Sequence, residues 1–236
     1  MWQRPGDISG IRRSLVISVL ESYEIVRGQC RYLETVLPED WEFILLDDGS
    51  DPPIEMPEHK PRHFSLVYTR SSVAWTQAIA RNLGARLARG QYVLFTDIDH
   101  IVTREALETV SRFEGSRMLF PRSFAVLDDV GRIHRDEAAL GVFGWNPAQA
   151  GRLAREARIH PNTFAIRRDL FIDGLAGGYD EAMCSQGKYV EEDTEINTRY
   201  SRLVAAGCAE PDVLGPEIYV YPDPASNPRF HRLQRN

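Results

Sequence analysis

A chain of 236 residues with 43% hydrophobic residues can bury a large core, and its length suits one domain or two closely fused halves. The net charge of -6 excludes a generic nucleic-acid binder, because non-specific affinity for phosphate backbones needs a surplus of Lys and Arg. Cys30, Cys184 and Cys208 stand apart with no CxxC pair, which excludes a disulfide framework and a zinc knuckle. The polar start, Met1 to Arg13, lacks the shape of a signal peptide and no apolar run is long enough to span a membrane, so the expectation is a soluble, cytoplasmic protein with no transmembrane segment.

Along the chain, Ser14 to Leu20 reads as a buried strand and Glu24 to Val36 as the helix after it. Glu42 to Leu46 is a second strand that ends in Asp47-Asp48-Gly49-Ser50-Asp51-Pro52-Pro53, a run of turn formers. Phe64 to Tyr68 reads as a third strand, and Val73 to Leu87 as a helix with Ala74, Ala78, Leu83 and Leu87 spaced to face a sheet. Gln91 to Thr96 forms a fourth strand that runs into Asp97-Ile98-Asp99-His100. This alternation is how a mainly parallel sheet with crossover helices reads, an α/β fold.

The second half is less regular. A helix is expected over Arg104 to Phe113, a short strand over Arg117 to Phe120, a helical or loop segment over Leu153 to Arg158, and a strand over Asn162 to Arg167. A glycine-rich turn, Gly174 to Gly178, precedes a helix over Glu191 to Ala206, supported by Glu195 and Arg199 four residues apart. Pro211, Pro216, Pro222, Pro224 and Pro228 break the rest into extended pieces and a tail over 221–236. We expect one domain over 1–236, with a ligand-binding half over about 14–110 and a smaller second subregion over about 111–220.

Ligands of open α/β sheets bind outside the carboxyl ends of strands, so acidic clusters at two strand ends mark one rim. Asp97 and Asp99 flank a single residue, and two carboxylates that close together repel unless a cation lies between them. The functional reading is a Mg²⁺ or Mn²⁺ site that also gathers a diphosphate. The plain alternative is a solvated acidic loop.

An ordered set of segments resembles the family-2 glycosyltransferases. Leu15 to Tyr23 is similar to the family's first strand and base-cupping turn, and Ile44 to Ser50 to its second-strand signature. Ala80 to Gly84 with Ala88 to Asp99 resembles the stretch that leads to the DxD, Gly177 to Glu181 the acceptor-side turn, and Glu192-Asp193 with Arg199 the acidic helix. The resemblance implies a GT-A (Rossmann-like) fold with a smaller acceptor-side subregion, and a metal-dependent transferase, hexosyl or related.

It further implies that Asp47 meets the base edge, with Ser22 and Tyr23 as the wall of that pocket. Arg81 is then near the base or diphosphate, Asp97 near the ribose or donor sugar, Asp99 is the principal metal ligand, and Asp193 is the catalytic base. Gly178, Tyr179, Asp180 and Glu192 fall on the acceptor side. The implied donor is a UDP-sugar, the acceptor a glycan, a lipid-linked or a small molecule, and the outcome inversion. His231 is a candidate further metal ligand, as GT-A enzymes take one from a carboxyl-terminal segment, and imidazole suits Mn²⁺ better than Mg²⁺. His100, where a third acidic residue is frequent, can join the metal, contact a phosphate or face solvent, and solvent or a phosphate is the expectation. Trp75 and Trp145 are candidates for stacking on a sugar, and His160 for a structural or acceptor-side place.

Two rivals stand beside this reading. Thr96 to Ile101 also resembles the nucleophile strand of haloacid dehalogenase-like phosphatases, although that motif sits early in its own family and only Lys188 is available downstream as the required lysine. The other rival is a catalytically silent domain that keeps the scaffold to bind a nucleotide or glycan.

Overall fold

Runs of Val, Ile, Leu and Phe with no polar alternation make strands that must be covered on both faces. In the computed structural model, which describes residues 10–70, 76–144, 159–184 and 192–222, the first two such runs are buried along their whole length. Strand β1 (Arg13–Val19) leads to helix α1 (Tyr23–Val36), then β2 (Trp41–Asp47), β3 (Phe64–Tyr68), α2 (Gln77–Leu87) and β4 (Tyr92–Asp97). There follow β5 (His100–Ile101), α3 (Arg104–Arg112), β6 (Arg117–Phe124), the small hairpin β7 (Val126–Leu127) and β8 (Ile133–His134), and α4 (Glu137–Val142). The chain continues with β9 (Ile159–Arg167), a wide helical turn over Leu170–Gly174, α5 (Glu181–Cys184), α6 (Glu192–Ala205), β10 (Val213–Leu214) and β11 (Ile218–Val220).

Nine strands form one sheet in the order β3-β2-β1-β4-β9-β6-β11-β5, with β10 also paired to β6. Five of its eight described pairings are parallel, and the antiparallel ones join β9 to β4 and β6 and β5 to β11. The expected α/β fold with a mainly parallel central sheet is therefore observed. One core cluster packs on the α1 and α3 face around Trp41, Phe43 and Leu94, and a second on the α2 and α6 face around Phe95, Phe164 and Phe171. No helix among the described residues is long and apolar enough to cross a membrane.

Several elements differ from the sequence expectation. The strand expected over 117–120 continues to Phe124, because β9 and β11 pair with it along its length. Within α2 the buried side chains are Ala78, Ala80, Arg81, Asn82 and Ala85, while Leu83 and Leu87 are only half-buried. The helix has rotated to present polar groups inward, and Gly84 permits the close approach: a Cβ there would lie 2.4 Å from Val16 Cγ1 and 3.0 Å from Leu46 Cδ1. The segments over 153–158 and 223–236, with Ala74, Trp75 and Trp145, lie outside the described residues.

At the amino ends of the strands, Glu42 accepts from Ser14 Oγ at 2.6 Å and from Arg89 N at 2.6 Å, while Ser14 Oγ accepts from Gly90 N at 2.9 Å. Arg13 donates to the carbonyls of Val110, Ser111 and Phe113 and so satisfies the end of α3. These contacts fasten the lower rim and leave the carboxyl ends of β1, β2 and β4 as the rim where a ligand can enter.

The packing at Gly84 yields a stability prediction. Alanine at this helical position gains about 1 kcal/mol of helix propensity, but forcing a methyl against Val16 costs about 1–3 kcal/mol. Gly84→Ala is expected to lower the urea midpoint at unchanged slope; a raised midpoint would show that the helix can back away from β1.

Candidate functional site

The rim opens into a cavity of about 210 Å³ lined by Ser18, Val19, Leu20, Ser22, Asp48, Gln77, Asp97, Ile98, Asp99 and Asn162. Its first wall is the turn after β1. Glu21 takes a left-handed backbone, φ 56°, which a non-glycine residue adopts only when its surroundings hold it there. Here the hold is a hydrogen bond from Glu21 N to Ser50 Oγ at 2.9 Å, which ties this turn to the one after β2.

That second turn is organised by its own carboxylates. Asp47 accepts from Ser50 N at 2.9 Å and from Ile54 N at 2.8 Å, so its side chain shapes the 50–54 loop from a buried position. Asp48 lines the cavity and accepts from Thr76 N at 2.5 Å, from Thr76 Oγ1, and from Thr69 Oγ1 at 3.1 Å. Burial raises the Asp48 pKa, and these donors and Asp47 modify the rise. Ser22 lies on the cavity wall, whereas Tyr23 directs its hydroxyl to Pro52 O at 2.6 Å and braces the loop from outside.

The floor is the end of β4. Asp97 Oδ1 accepts from Gln77 Nε2 at 2.6 Å and from Arg81 Nη2 at 2.5 Å, and Oδ2 accepts from Asn162 Nδ2 at 3.1 Å. The antiparallel register that pairs Phe95 with Phe164 brings Thr163 and Asn162 alongside Thr96 and Asp97. The backbone of the Asp97–His100 turn is held from two further elements. Gln29 on α1 donates to Ile98 O at 3.0 Å and His100 O at 2.7 Å, and Tyr221 N, just after β11, donates to Asp99 O at 2.9 Å.

Arg81 is fully buried and joins this floor to the second half of the chain. Its Nη1 donates to Tyr179 Oη at 2.7 Å and lies 3.8 Å from Asp193 Oδ1. Burial opposes its charge, yet the nearby Tyr179, Asp97, Asp193 and Glu192 outweigh burial and hold its pKa above the ordinary value. Arg81 is therefore a buried counterion that reaches the cavity through Asp97, which lines it.

Asp193, at the start of α6, is buried with its pKa pushed up to about 6. Burial is the main cause, Arg81 pulls against it, Asp97 adds to it, and hydrogen bonds from Tyr179 and Asn162 pull it back. Its Oδ1 has no hydrogen-bond donor among the described residues. Glu192 is buried beside it.

Three of the four acceptor-side residues of the sequence reading, Gly178, Tyr179 and Asp180, are neighbours in one turn, while Glu192 starts α6. Gly178 has φ 94°, and a Cβ there would lie 2.4 Å from Asn82 Oδ1 and 2.4 Å from Phe171 Cε1, so only glycine fits. Asn82 then grips the Tyr179 backbone both ways, donating to Tyr179 O at 2.8 Å and accepting from Tyr179 N at 2.9 Å. Arg199, also paired with Glu195, donates to Gly178 O at 2.6 Å. Gly178, Tyr179, Asp180 and Glu181 line a second, polar cavity with Asn82, Arg86 and Arg199.

One ligand atom each from Asp97, Asp99 and His100 lie within 4.8 Å of one another, so two carboxylates and an imidazole fit a divalent cation by donor chemistry and spacing. His100 does not face solvent as expected. It is buried, its Nδ1 is 2.7 Å from Thr163 Oγ1, and burial lowers its pKa to about 4, with Asp97 opposing and Arg122 and Arg81 assisting. The other proposed metal ligand, His231, lies outside the described residues, as do Lys188 and the His160 side chain. Sequence reasoning missed Gln29, Gln77, Asn82, Asn162, Thr163 and Tyr221; Thr163 carries a local signal as a polar residue in an otherwise apolar stretch of β9, and Tyr221 acts through its backbone amide, which no side-chain pattern reports.

A family model described as Glycosyl transferase family 2 matches residues 18–175. No curated protein sequence matches the chain. Among solved structures, residues 1–349 of Staphylococcus aureus TarS align with 15% identity and a TM-score of 0.54, covering 89% of this chain and 60% of that one. The mannosyltransferase PcManGT of Pyrobaculum calidifontis, in complex with GDP-Man and Mn²⁺, aligns with 14% identity and a TM-score of 0.56, covering 99% of this chain and 64% of that one. The chain spans less than two thirds of the length of either structure.

Removing a buried guanidinium that compensates two carboxylates costs about 3–5 kcal/mol. Arg81→Met is accordingly expected to lower the unfolding free energy by this amount in chemical denaturation. A change below about 1 kcal/mol, the value of an exposed ion pair, would contradict the burial of this cluster.

Proposed function

Since the chain belongs to glycosyl transferase family 2, we propose that it transfers a glycosyl group, moving a sugar from a nucleoside diphosphate donor to an acceptor hydroxyl, with a divalent cation and with inversion. The observation that carries this reading is Arg81, which holds a carboxylate on the cavity floor, Asp97, and a second at the start of a later helix, Asp193, around one buried charge.

The nucleoside is assigned to the wall formed by Ser22, Asp48 and the 18–20 backbone, with Asp47 and Tyr23 fixing the loop behind it. The sequence resemblance favours uridine; the Pyrobaculum enzyme is in complex with GDP-Man and Mn²⁺, so guanosine is the competing base. Asp97, braced by Gln77, Arg81 and Asn162, is assigned to orient the donor sugar. Asp99 is assigned as the principal metal ligand, Mn²⁺ or Mg²⁺, with His231 a further candidate. When bound, such an ion supplies positive charge that offsets the negative charge of the departing diphosphate.

Asp193 is the proposed general base. A carboxylate whose pKa is pushed up to about 6 has a stronger pull on a proton than an exposed one while still ionised at neutral pH. The acceptor hydroxyl gives its proton to Asp193, its oxygen forms the bond to the anomeric carbon, and the bond from that carbon to the diphosphate oxygen breaks on the opposite face. Arg81 offsets the repulsion between Asp193 and Asp97 and so holds the two carboxylates near one another. Gly178, Tyr179, Asp180 and Glu192 are assigned to the acceptor side, for a glycan, lipid-linked or small-molecule acceptor.

A panel of UDP, GDP and their sugars, each with and without Mn²⁺, tests the donor reading by thermal shift. One nucleotide is expected to raise the melting temperature, and only with metal, because a ligand bound by the native state alone adds to stability. Equal shifts without metal would sink the metal-dependent reading. Asp193→Asn should reduce turnover by about 10²–10⁴-fold with donor affinity retained. For the native chain, kcat/KM should fall as pH drops below about 6, since the base must be ionised to act; a flat profile down to pH values of about 5 would remove Asp193 from that role.

A further inference from the structure

Beyond the two carboxylates, the turn after β4 carries a buried histidine whose ring is held as a metal ligand is held. His100 Nδ1 lies 2.7 Å from Thr163 Oγ1, and Thr163 Oγ1 lies 3.0 Å from Thr96 Oγ1. Metal-bound histidines use one ring nitrogen for the ion and give the N–H of the other to an oxygen, which fixes tautomer and orientation. The backbone is fixed as firmly: His100 O accepts from Gln29, and His100 pairs with Val220 across β5 and β11. One ring nitrogen is also grouped within 4.8 Å of a carboxylate oxygen of Asp97 and one of Asp99.

We propose that His100 is a direct ligand of the catalytic cation, completing with Asp99 and Asp97 a mixed oxygen and nitrogen site that selects Mn²⁺ over Mg²⁺. The inference rests on the metal-assisted reading above and names the ligand and the metal that the reading leaves open. In this arrangement Nδ1–H donates to Thr163, Thr163 donates to Thr96, and Nε2 meets the ion. The selectivity follows from ligand chemistry: Mg²⁺ prefers an all-oxygen octahedral shell and keeps much of its water, while Mn²⁺ accepts imidazole.

Electron spin echo envelope modulation of bound Mn²⁺ reads a coordinating nitrogen directly and requires no turnover. With the full chain, Mn²⁺ and UDP or GDP, ¹⁴N modulation is expected, and it should convert to the ¹⁵N pattern when the protein carries ¹⁵N-histidine. It should persist in His231→Asn and vanish in His100→Asn. In His100→Asn, Mn²⁺ affinity measured by calorimetry should fall by roughly tenfold to a hundredfold, the range found even for residues that only support a ligand, with Mg²⁺ affinity nearly unchanged. Thr163→Val should keep the nitrogen signal and weaken Mn²⁺ binding. Mn²⁺ bound with no nitrogen modulation, or modulation lost in His231→Asn but kept in His100→Asn, overturns the assignment and leaves metal-dependent transfer standing. Failure to bind Mn²⁺ at all overturns both. Should His100→Asn fail to fold, the comparison of the native chain with His231→Asn still tests the assignment, which falls if the modulation is absent from the first or lost in the second.

Discussion

A guanidinium sealed from water must find charge and hydrogen-bond acceptors within the protein, because leaving it uncompensated costs several kcal/mol, on the order of the stability of a whole domain. Arg81 meets that demand with Asp97 from the end of β4 and with Tyr179 and Asp193 from the far half of the chain. The requirement orders much else. Because α2 turns Arg81 and Asn82 inward, the helix must sit close to β1, which Gly84 allows. Asn82, one residue on, clamps the Tyr179 backbone, so α2 and the turn at Gly178 are set against one another by two adjacent residues. The buried cluster is thus less a source of stability than a means of fixing the relative placement of two carboxylates.

The rest of the site follows a second rule, that carboxylates near the cavity also serve the backbone. Asp47 holds the amides of Ser50 and Ile54, and Asp48 holds Thr76 at the entrance to α2. A paired Asp-Asp at a strand end therefore reads in two ways at once, as ligand chemistry and as loop architecture. For Asp47 the structure displays the loop role, and Asp48 is the member that lines the cavity.

How much of this was legible beforehand depends on the length of the interactions. Strands β1 to β4 announced themselves because a run such as LVISV has few alternatives to burial on both faces. The two-residue strands β5, β7 and β8 carry too little local pattern to be seen; β5 exists because β11, from the far end of the chain, pairs with it. The acidic residues of the rim could be named from their spacing, but not their partners: Asn162 and Thr163 reach the floor through antiparallel pairing of β9 with β4. His100 illustrates the limit most plainly. As the residue after DxD it read as facing solvent or a phosphate, with the metal as the less favoured place, whereas contacts with Gln29, 71 positions before it, and Thr163, 63 after it, place it inside.

The amide of Tyr221 on the carbonyl of Asp99 has a temporal meaning. A ribosome releases this chain from its amino end, so β1 to β4 can form a sheet long before that amide has been synthesised. Until then the acidic tip lacks one of its anchors, and Arg81 has met its own partners only once Tyr179 and then Asp193 have followed it. The strands that carry the rim are thus made well before the residues that complete it, and a product ending short of Tyr221 would lack one anchor of the Asp97–His100 turn.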